Sequence, residues 1–238
     1  MENFEYIKNN LFRYEFISNL VNDKIFDHQK NMSTTYHSAK ILLENNSKEI
    51  FSCNDIKSNK IMSRRTNNEG NIILEMKEIN FFQSYFDNII SFEIINKENI
   101  KQYFELYSNL LKENGTLILL VPNKEKMIIK NEINFDKNEI VKEISLKFKI
   151  NEIYSQRFLE KENKKIENKL GIIREKSAKI IKKIDKNEKL YRRIFQKNMK
   201  KINSFKQNIE KIPNDDFIPK KFDKNKQSLF LLFICKKI

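Results

Sequence analysis

Residues 22–46 contain the first side chains whose types and spacing point to ligand binding. A short apolar run ends at Asp27, the polar stretch DHQKNMSTT begins there, and an amphipathic run follows. This order is typical of the first strand, phosphate loop and first helix of a nucleotide-binding sheet, in which the helix N-terminus offers a site for an anion. The positions where such a loop carries glycines are occupied by Gln29, Asn31 and Ser33.

Polar residues also follow three later apolar runs of strand length. Asn54 is the last residue of EIFSCN, and Asp55 follows it directly. Glu78 comes shortly after NIILEM, and Glu93 ends FDNIISFE. The run TLILLVP is apolar throughout, as a central parallel strand buried on both faces should be. These polar positions are therefore the candidates for ligand contacts at strand ends.

Strand-like and helix-like runs alternate along the first 160 residues, which predicts a mainly parallel sheet covered by helices on both faces. We expect Gly115 to end one helix at the position just past its last turn, where a left-handed conformation favours glycine. The predicted helices cover 14–21, 35–46, 98–115 and 135–148, and the predicted strands cover 24–26, 49–54, 71–76, 86–93, 116–122, 150–158 and 227–237.

The positive charge of the chain is concentrated in residues 161–212. This segment has 18 Lys/Arg and 6 Asp/Glu, a net charge of +12 out of the +14 of the whole chain. Its apolar residues recur at three- and four-residue steps, which predicts two or three amphipathic helices with a wide basic face. We therefore predict a core domain of 1–160 plus 213–238, with 161–212 as a basic helical insertion.

Three interpretations of the basic insertion remain open. It is either a solvated helical arm, or a surface for nucleic acid, or a surface for another polyanion, a membrane or an acidic partner. No known RNA- or DNA-binding motif occurs in it, and nothing in the sequence indicates an oligomeric state.

The remaining composition predicts a cytoplasmic protein. No signal peptide is visible, and the longest apolar run, SLFLLFIC, is far shorter than the roughly 20 residues that span a bilayer. Cys53 and Cys235 lie in strand-like runs and are expected to be buried free thiols, and two histidines without close spacing predict no metal site. His28 and His37 are interpreted as surface or packing residues rather than general bases.

Three strings resemble the class I S-adenosylmethionine-dependent methyltransferases, most of all the small type with an Arg-Tyr-x-Phe helix before the first motif. They are RYEFISNLVNDKIFD (13–27), FDNIISFEIINKEN (86–99) and LLKENGTLILLVPNK (110–124). The resemblance covers about residues 12–158 and the last strand. It implies an α/β fold, a three-layer Rossmann-like sheet of about seven strands. The last strand, 227–237, would be antiparallel beside 150–158, after the basic helical insertion.

The same resemblance implies S-adenosylmethionine as cofactor and assigns residues to it. Asp27 closes the first strand, and Gln29, Asn31 and Ser33 replace the glycines that normally pass close to the methyl donor. No catalytic residue is assigned, since a methyltransferase of this class works largely by positioning donor and acceptor.

Two further contacts follow from the resemblance. An acid after the second strand would bind the ribose hydroxyls: Asp55 is preferred by chemistry, with Asn54 as the alternative. An acid or amide near the adenine would be Glu78, although Lys77 takes that place in another alignment. Glu93 retains the acid at the end of the fourth strand.

Two functions are compatible with these residues. The first is methyl transfer from S-adenosylmethionine to an unidentified acceptor through a divergent donor site. The second is a catalytically inactive methyltransferase-fold module that binds nucleic acid or another polyanion through its basic segment.

Overall fold

A computed structural model describes residues 4–29, 35–45, 47–54, 71–74, 76–123, 134–158, 214–226 and 228–238. The predicted basic insertion, 161–212, lies outside these ranges. The described helices are α1 (Phe4–Ser18), α2 (Thr35–Glu44), α3 (Met76–Ile79), α4 (Ile100–Leu110) and α5 (Lys137–Ile144), with a 3-10 turn at Asn214–Asp216. The strands are β1 (Asp23–Gln29), β2 (Ser47–Asn54), β3 (Asn71–Leu74), β4 (Phe86–Phe92), β5 (Leu111–Pro122), β6 (Phe148–Phe158), β7 (Lys220–Lys221) and β8 (Ser228–Lys237).

The strands form one sheet in the order β3-β2-β1-β4-β5-β8-β6-β7. β1 to β5 are parallel to one another, and β8 lies antiparallel between β5 and β6. The predicted sheet of about seven strands with an antiparallel last strand is thus confirmed. β7 was not predicted, because two lysines at the sheet edge carry no apolar pattern.

Apolar side chains alternate between the two faces of the sheet and define two cores. Tyr14 and Ile17 of α1 and Leu42 of α2 pack with Ile25 and Ile118 on one face. The helices α3, α4 and α5 cover the other face, where their buried side chains pack on Phe26, Phe51, Ile89, Leu117 and Leu119. Both faces of β4 and β5 are therefore buried, which explains their long apolar runs.

The topology has a switch point at the carboxyl ends of β1 and β4. These two strands are neighbours, but the helix that follows β1 covers one face of the sheet and the helix that follows β4 covers the other. In open α/β sheets ligands bind at such a switch point. Within the described ranges, no helix is long and apolar enough to cross a membrane.

The first strand is longer than its sequence pattern predicts. We expected it to end at Asp27, with Gln29 in a loop, but β1 continues to Gln29. The backbone of Gln29 is aligned with Asn54 of β2 on one side and with Phe92 of β4 on the other. Pairing on both sides keeps the chain extended, although the residues at its end are polar.

The role predicted for Gly115 is wrong. Helix α4 ends at Leu110, Leu111 is already extended, and Gly115 lies buried inside β5. The left-handed residue is Asn114, with φ 61°. Glycine is required at position 115 for space, since an added Cβ would lie 2.9 Å from both the side chain of Leu111 and the backbone oxygen of Lys112.

We predict that Gly115→Ala lowers the free energy of unfolding by about 1–3 kcal/mol, because a backbone oxygen at 2.9 Å cannot rotate away from the new methyl group. Chemical denaturation measures the loss. Asn114→Gly is the matched control one residue away, and it should cost nothing, since glycine accepts a φ of 61°. A Gly115→Ala protein as stable as the wild type would contradict the packing described for β5.

Candidate functional site

Two consecutive residues of α1 reach the carboxyl ends of β1 and β4. The Arg13 guanidinium donates from Nη1 to Glu93 Oε1, 2.5 Å away, just past the end of β4. The Tyr14 hydroxyl donates to Asp27 Oδ1 of β1 at 2.8 Å. We call these two contacts the α1 clamp, because they fix one helix to acidic groups of two adjacent central strands.

Asp27 is enclosed by side chains of three elements. Besides Tyr14 of α1, Gln29 of the same strand donates from Nε2 to Asp27 Oδ2, and Ser38 of α2 donates to the same oxygen at 3.4 Å. Gln29 Nε2 also donates to Ser38 Oγ at 2.8 Å. Gln29 and Asp27 are both buried. The Gln29 side chain therefore points inward and ties β1 to α2.

Burial raises the pKa of Asp27 from its usual 3.8 to about 6. Loss of water disfavours the charged carboxylate, and hydrogen bonds from Gln29, Tyr14 and Ser38 offset this only in part. The carboxyl group is thus mostly ionised at pH 7 and takes up a proton in mildly acidic solution.

Glu93 differs from Asp27 in its exposure. Its backbone is left-handed, with φ 62°, and its N–H donates to Leu120 O of β5 at 2.9 Å. The side chain is 16% exposed. Its Oε2 makes no hydrogen bond within the part of the chain that the structure describes, whereas Oε1 binds Arg13. A strained backbone held by strand pairing is common at ligand sites.

The structure brings together three of the seven predicted cofactor residues: Asp27, Gln29 and Glu93 lie at the ends of adjacent strands. Glu78 is exposed on the short helix α3 after β3. The other three predicted residues, Asn31, Ser33 and Asp55, lie outside the described residues, so their roles stay predictions.

His28 is a packing residue, as predicted. It is buried on the opposite face of β1 from Asp27, stacks on Phe26, and lies with Nδ1 2.7 Å from the Tyr107 hydroxyl. Tyr107 also contacts Ser91 Oγ at 2.9 Å. Cys53 and Cys235 are both buried, also as predicted. Among the described residues, no cluster of His, Cys, Asp and Glu could hold a metal ion.

Sequence reasoning missed Arg13, Tyr14 and Gln156 as site residues. Gln156 near the end of β6 accepts from Arg13 Nε at 2.6 Å. These contacts join positions 80 and 143 residues apart, a distance over which local patterns carry no information. The one sequence signal was the string RYEF, which supported the resemblance but had no role attached to it.

The fold matches that of known methyltransferases. A methyltransferase from Archaeoglobus fulgidus described as dependent on S-adenosylmethionine is 13% identical over 98% of this chain and 94% of that one, with a TM-score of 0.52. The [4+2]-cyclase SpnF is 10% identical over 96% of this chain and 80% of that one, with a TM-score of 0.54. No family model and no curated protein matches the sequence. The chain therefore has a class I methyltransferase fold, with little sequence similarity to these structures.

We predict that the stability of the protein rises as the pH falls from 7 to 4, relative to an Asp27→Asn variant. The folded pKa of Asp27 is raised, so between its usual value and about 6 the folded state binds more protons than the unfolded state. The difference in unfolding free energy between the two proteins should change by up to about 3 kcal/mol across this window. Denaturation at several pH values measures it, and a constant difference would contradict the burial of Asp27.

Proposed function

We propose that the protein binds S-adenosylmethionine at the carboxyl ends of β1 and β4 and acts as a divergent methyltransferase. The observation that carries this proposal is the α1 clamp. It holds the Asp27 and Glu93 carboxyl groups at the switch point of the sheet, where this topology binds ligands. Packing of α1 on the sheet would not by itself require the helix to bind two acidic groups at the strand ends.

Glu93 is the residue whose geometry best suits the donor. A half-buried carboxylate with one oxygen bound to Arg13 and the other oriented by a strained backbone can accept hydrogen bonds from an ammonium or from hydroxyl groups. Asp27 supports the same edge from β1. Asp55, Asn31, Ser33 and Glu78 complete the proposed donor site on the strength of the resemblance.

Gln29 is the residue that fits the donor least. Its side chain fills the space beside Asp27 and α2 that a glycine would leave open. A bound donor would have to displace that side chain and replace its hydrogen bond to Asp27. The proposed donor site thus keeps its carboxylate at the end of β4, whereas the Gln29 side chain takes up space at the end of β1.

The chemistry at this edge is positioning. S-adenosylmethionine, when bound, supplies an electrophilic methyl group on a sulfonium. This chain would hold the donor through Glu93, keep water from the edge with the buried ring of Phe92, and fix both strand ends through α1. Positioning of this kind accounts for much of the rate of a two-substrate transfer. The acceptor is not identified by these contacts.

A second function is favoured by the Gln29 contacts. If that side chain keeps the donor out, the protein is a methyltransferase-fold binding module without catalysis. The predicted partner is then nucleic acid or another polyanion bound through 161–212. In either case we propose a cytoplasmic location.

We predict that S-adenosylhomocysteine binds the wild-type protein with a dissociation constant in roughly the micromolar range, as measured by calorimetry. Gln29→Gly should bind about tenfold more tightly, because it removes the side chain beside Asp27 without touching Glu93. Glu93→Gln should bind about tenfold more weakly, since it removes a charged acceptor. Glu113→Gln, at an exposed position of β5, is the matched control and should bind as the wild type does.

The outcomes separate the two functions. Binding by Gln29→Gly but not by the wild type at millimolar ligand would favour the inactive module, with Gln29 as the cause. No binding by either protein would end the proposal of a donor site at this edge.

A further inference from the structure

One nitrogen of the Arg13 guanidinium has no hydrogen-bond partner among the residues that the structure describes. Arg13 is fully buried, Nε donates to Gln156, and Nη1 donates to Glu93 and to Asn10 Oδ1, the latter at 2.8 Å. Nη2 is buried and has no partner within the described part of the chain. Buried charged donors are nearly always paired, so an unpaired one indicates a missing acceptor.

Gln156 cannot supply that acceptor by turning its amide group. Its Nε2 donates to Phe217 O at 2.6 Å and to Asn9 O at 3.2 Å, which fixes Oε1 towards Arg13 Nε. Phe230 of β8 covers the guanidinium, with its ring centroid 4.5 Å from Arg13 Cζ. Neither Gln156 nor Phe230 thus offers a free hydrogen-bond acceptor to Nη2.

Two further cationic side chains lie around Phe217, which contacts the partner of Arg13, Gln156. The Arg157 guanidinium and the Lys8 ammonium lie 4.7 and 4.5 Å from the ring centroid of Phe217, whose carbonyl holds Gln156. Arg157 is itself buried and left-handed, with φ 61°. Within the described residues Arg13 contacts one carboxylate, that of Glu93. A guanidinium N–H binds a charged acceptor more strongly than a neutral one, so an anion is the acceptor that best suits Nη2.

The position of Arg13 relative to the strand ends indicates which bound molecule would contact Nη2. β6 runs parallel to β5, since both are antiparallel to β8, so the ends of β4, β5 and β6 lie at one edge. Arg13 bridges from β4 to β6 across β5 and β8. The predicted donor residues Asp27 and Gln29 belong instead to β1, on the other side of Glu93.

We propose that Arg13 binds an anionic group, a carboxylate or phosphate, of the methyl acceptor. This inference rests on the proposed methyl transfer and names the chemical class of its acceptor. Glu93 then separates two halves of the edge, with the donor on the β1 side and the acceptor's anion on the β6 side. The anion accepts a hydrogen bond from Nη2 and so completes the hydrogen bonding of the guanidinium.

The test uses inorganic phosphate and citrate as probes in thermal unfolding, with chloride adjusted to keep ionic strength constant. For the wild type, each effective anion should raise the melting temperature saturably, by about 3–6 °C at ten times its dissociation constant. Asn10→Asp places a carboxylate next to Arg13 without changing size and keeps the acceptor for Nη1. It should raise the melting temperature without added anion and reduce the anion-induced rise by more than half.

The matched control is Asn109→Asp, which adds the same charge at an exposed position of α4 and should leave the anion-induced rise unchanged. An equal rise in Asn10→Asp and wild type would mean that the anions bind elsewhere, and it would overturn the proposal. So would a destabilised Asn10→Asp protein, or a wild type that no probe anion stabilises.

A second arm separates the acceptor's anion from the donor's own carboxylate. Calorimetry compares S-adenosylhomocysteine with 5′-methylthioadenosine, which lacks the amino-acid part. We expect Asn10→Asp to bind both as the wild type does. Weaker binding of S-adenosylhomocysteine alone would place the donor's carboxylate at Arg13 and overturn the acceptor assignment.

Different results would overturn the proposed methyl transfer and the proposed anion site. A wild type that shows the anion effect but does not bind S-adenosylhomocysteine would overturn the methyl-transfer function, and with it the assignment of the anion to an acceptor. Binding of S-adenosylhomocysteine without any anion effect would overturn the anion site alone.

Discussion

The attachment of α1 to the ends of β1 and β4 is the contact on which the functional edge depends. Arg13 and Tyr14 are consecutive, yet one binds Glu93 and the other binds Asp27. Both interactions bury groups that prefer water, and removing one partner of a buried ion pair typically costs about 3–5 kcal/mol. The helix is thus held in one place over the sheet, and the Asp27 and Glu93 carboxyl groups keep a fixed separation.

The same helix links the two halves of the edge. On the β1 side, the Tyr14 hydroxyl forms hydrogen bonds with Asp27 and Gln29. On the β6 side, Arg13 forms one with Gln156. Burial raises the pKa of Asp27 although three side chains bind its carboxyl group, and Arg13 Nη2 has no partner within the described residues. A fold shared with both a methyltransferase and a cyclase does not decide function, so the functional assignment rests on these polar groups.

Much of the fold was predictable from the sequence because β4 contains the apolar pair Ile89 and Ile90, β5 contains the apolar run Leu117–Val121, and α4 has a regular apolar period. The end of β1 was not predictable. Asp27 and Gln29 are polar, and their burial depends on Tyr14 and Ser38 from helices before and after the strand. Gly115 was misassigned since a helix-ending glycine and a glycine required by tight packing look alike in a sequence. For the site, the acidic residues Asp27 and Glu93 were predicted, whereas their partners Tyr14 and Arg13 were not.

The central claim is that the carboxyl ends of β1 and β4 form a donor site in which Gln29 must give way. A crystal structure of the protein grown with saturating S-adenosylhomocysteine tests it most directly. The account predicts the ligand at this edge in contact with Glu93, with the Gln29 side chain turned away from Asp27. A structure with the ligand absent or elsewhere, and the Gln29–Asp27 hydrogen bond intact, would contradict it.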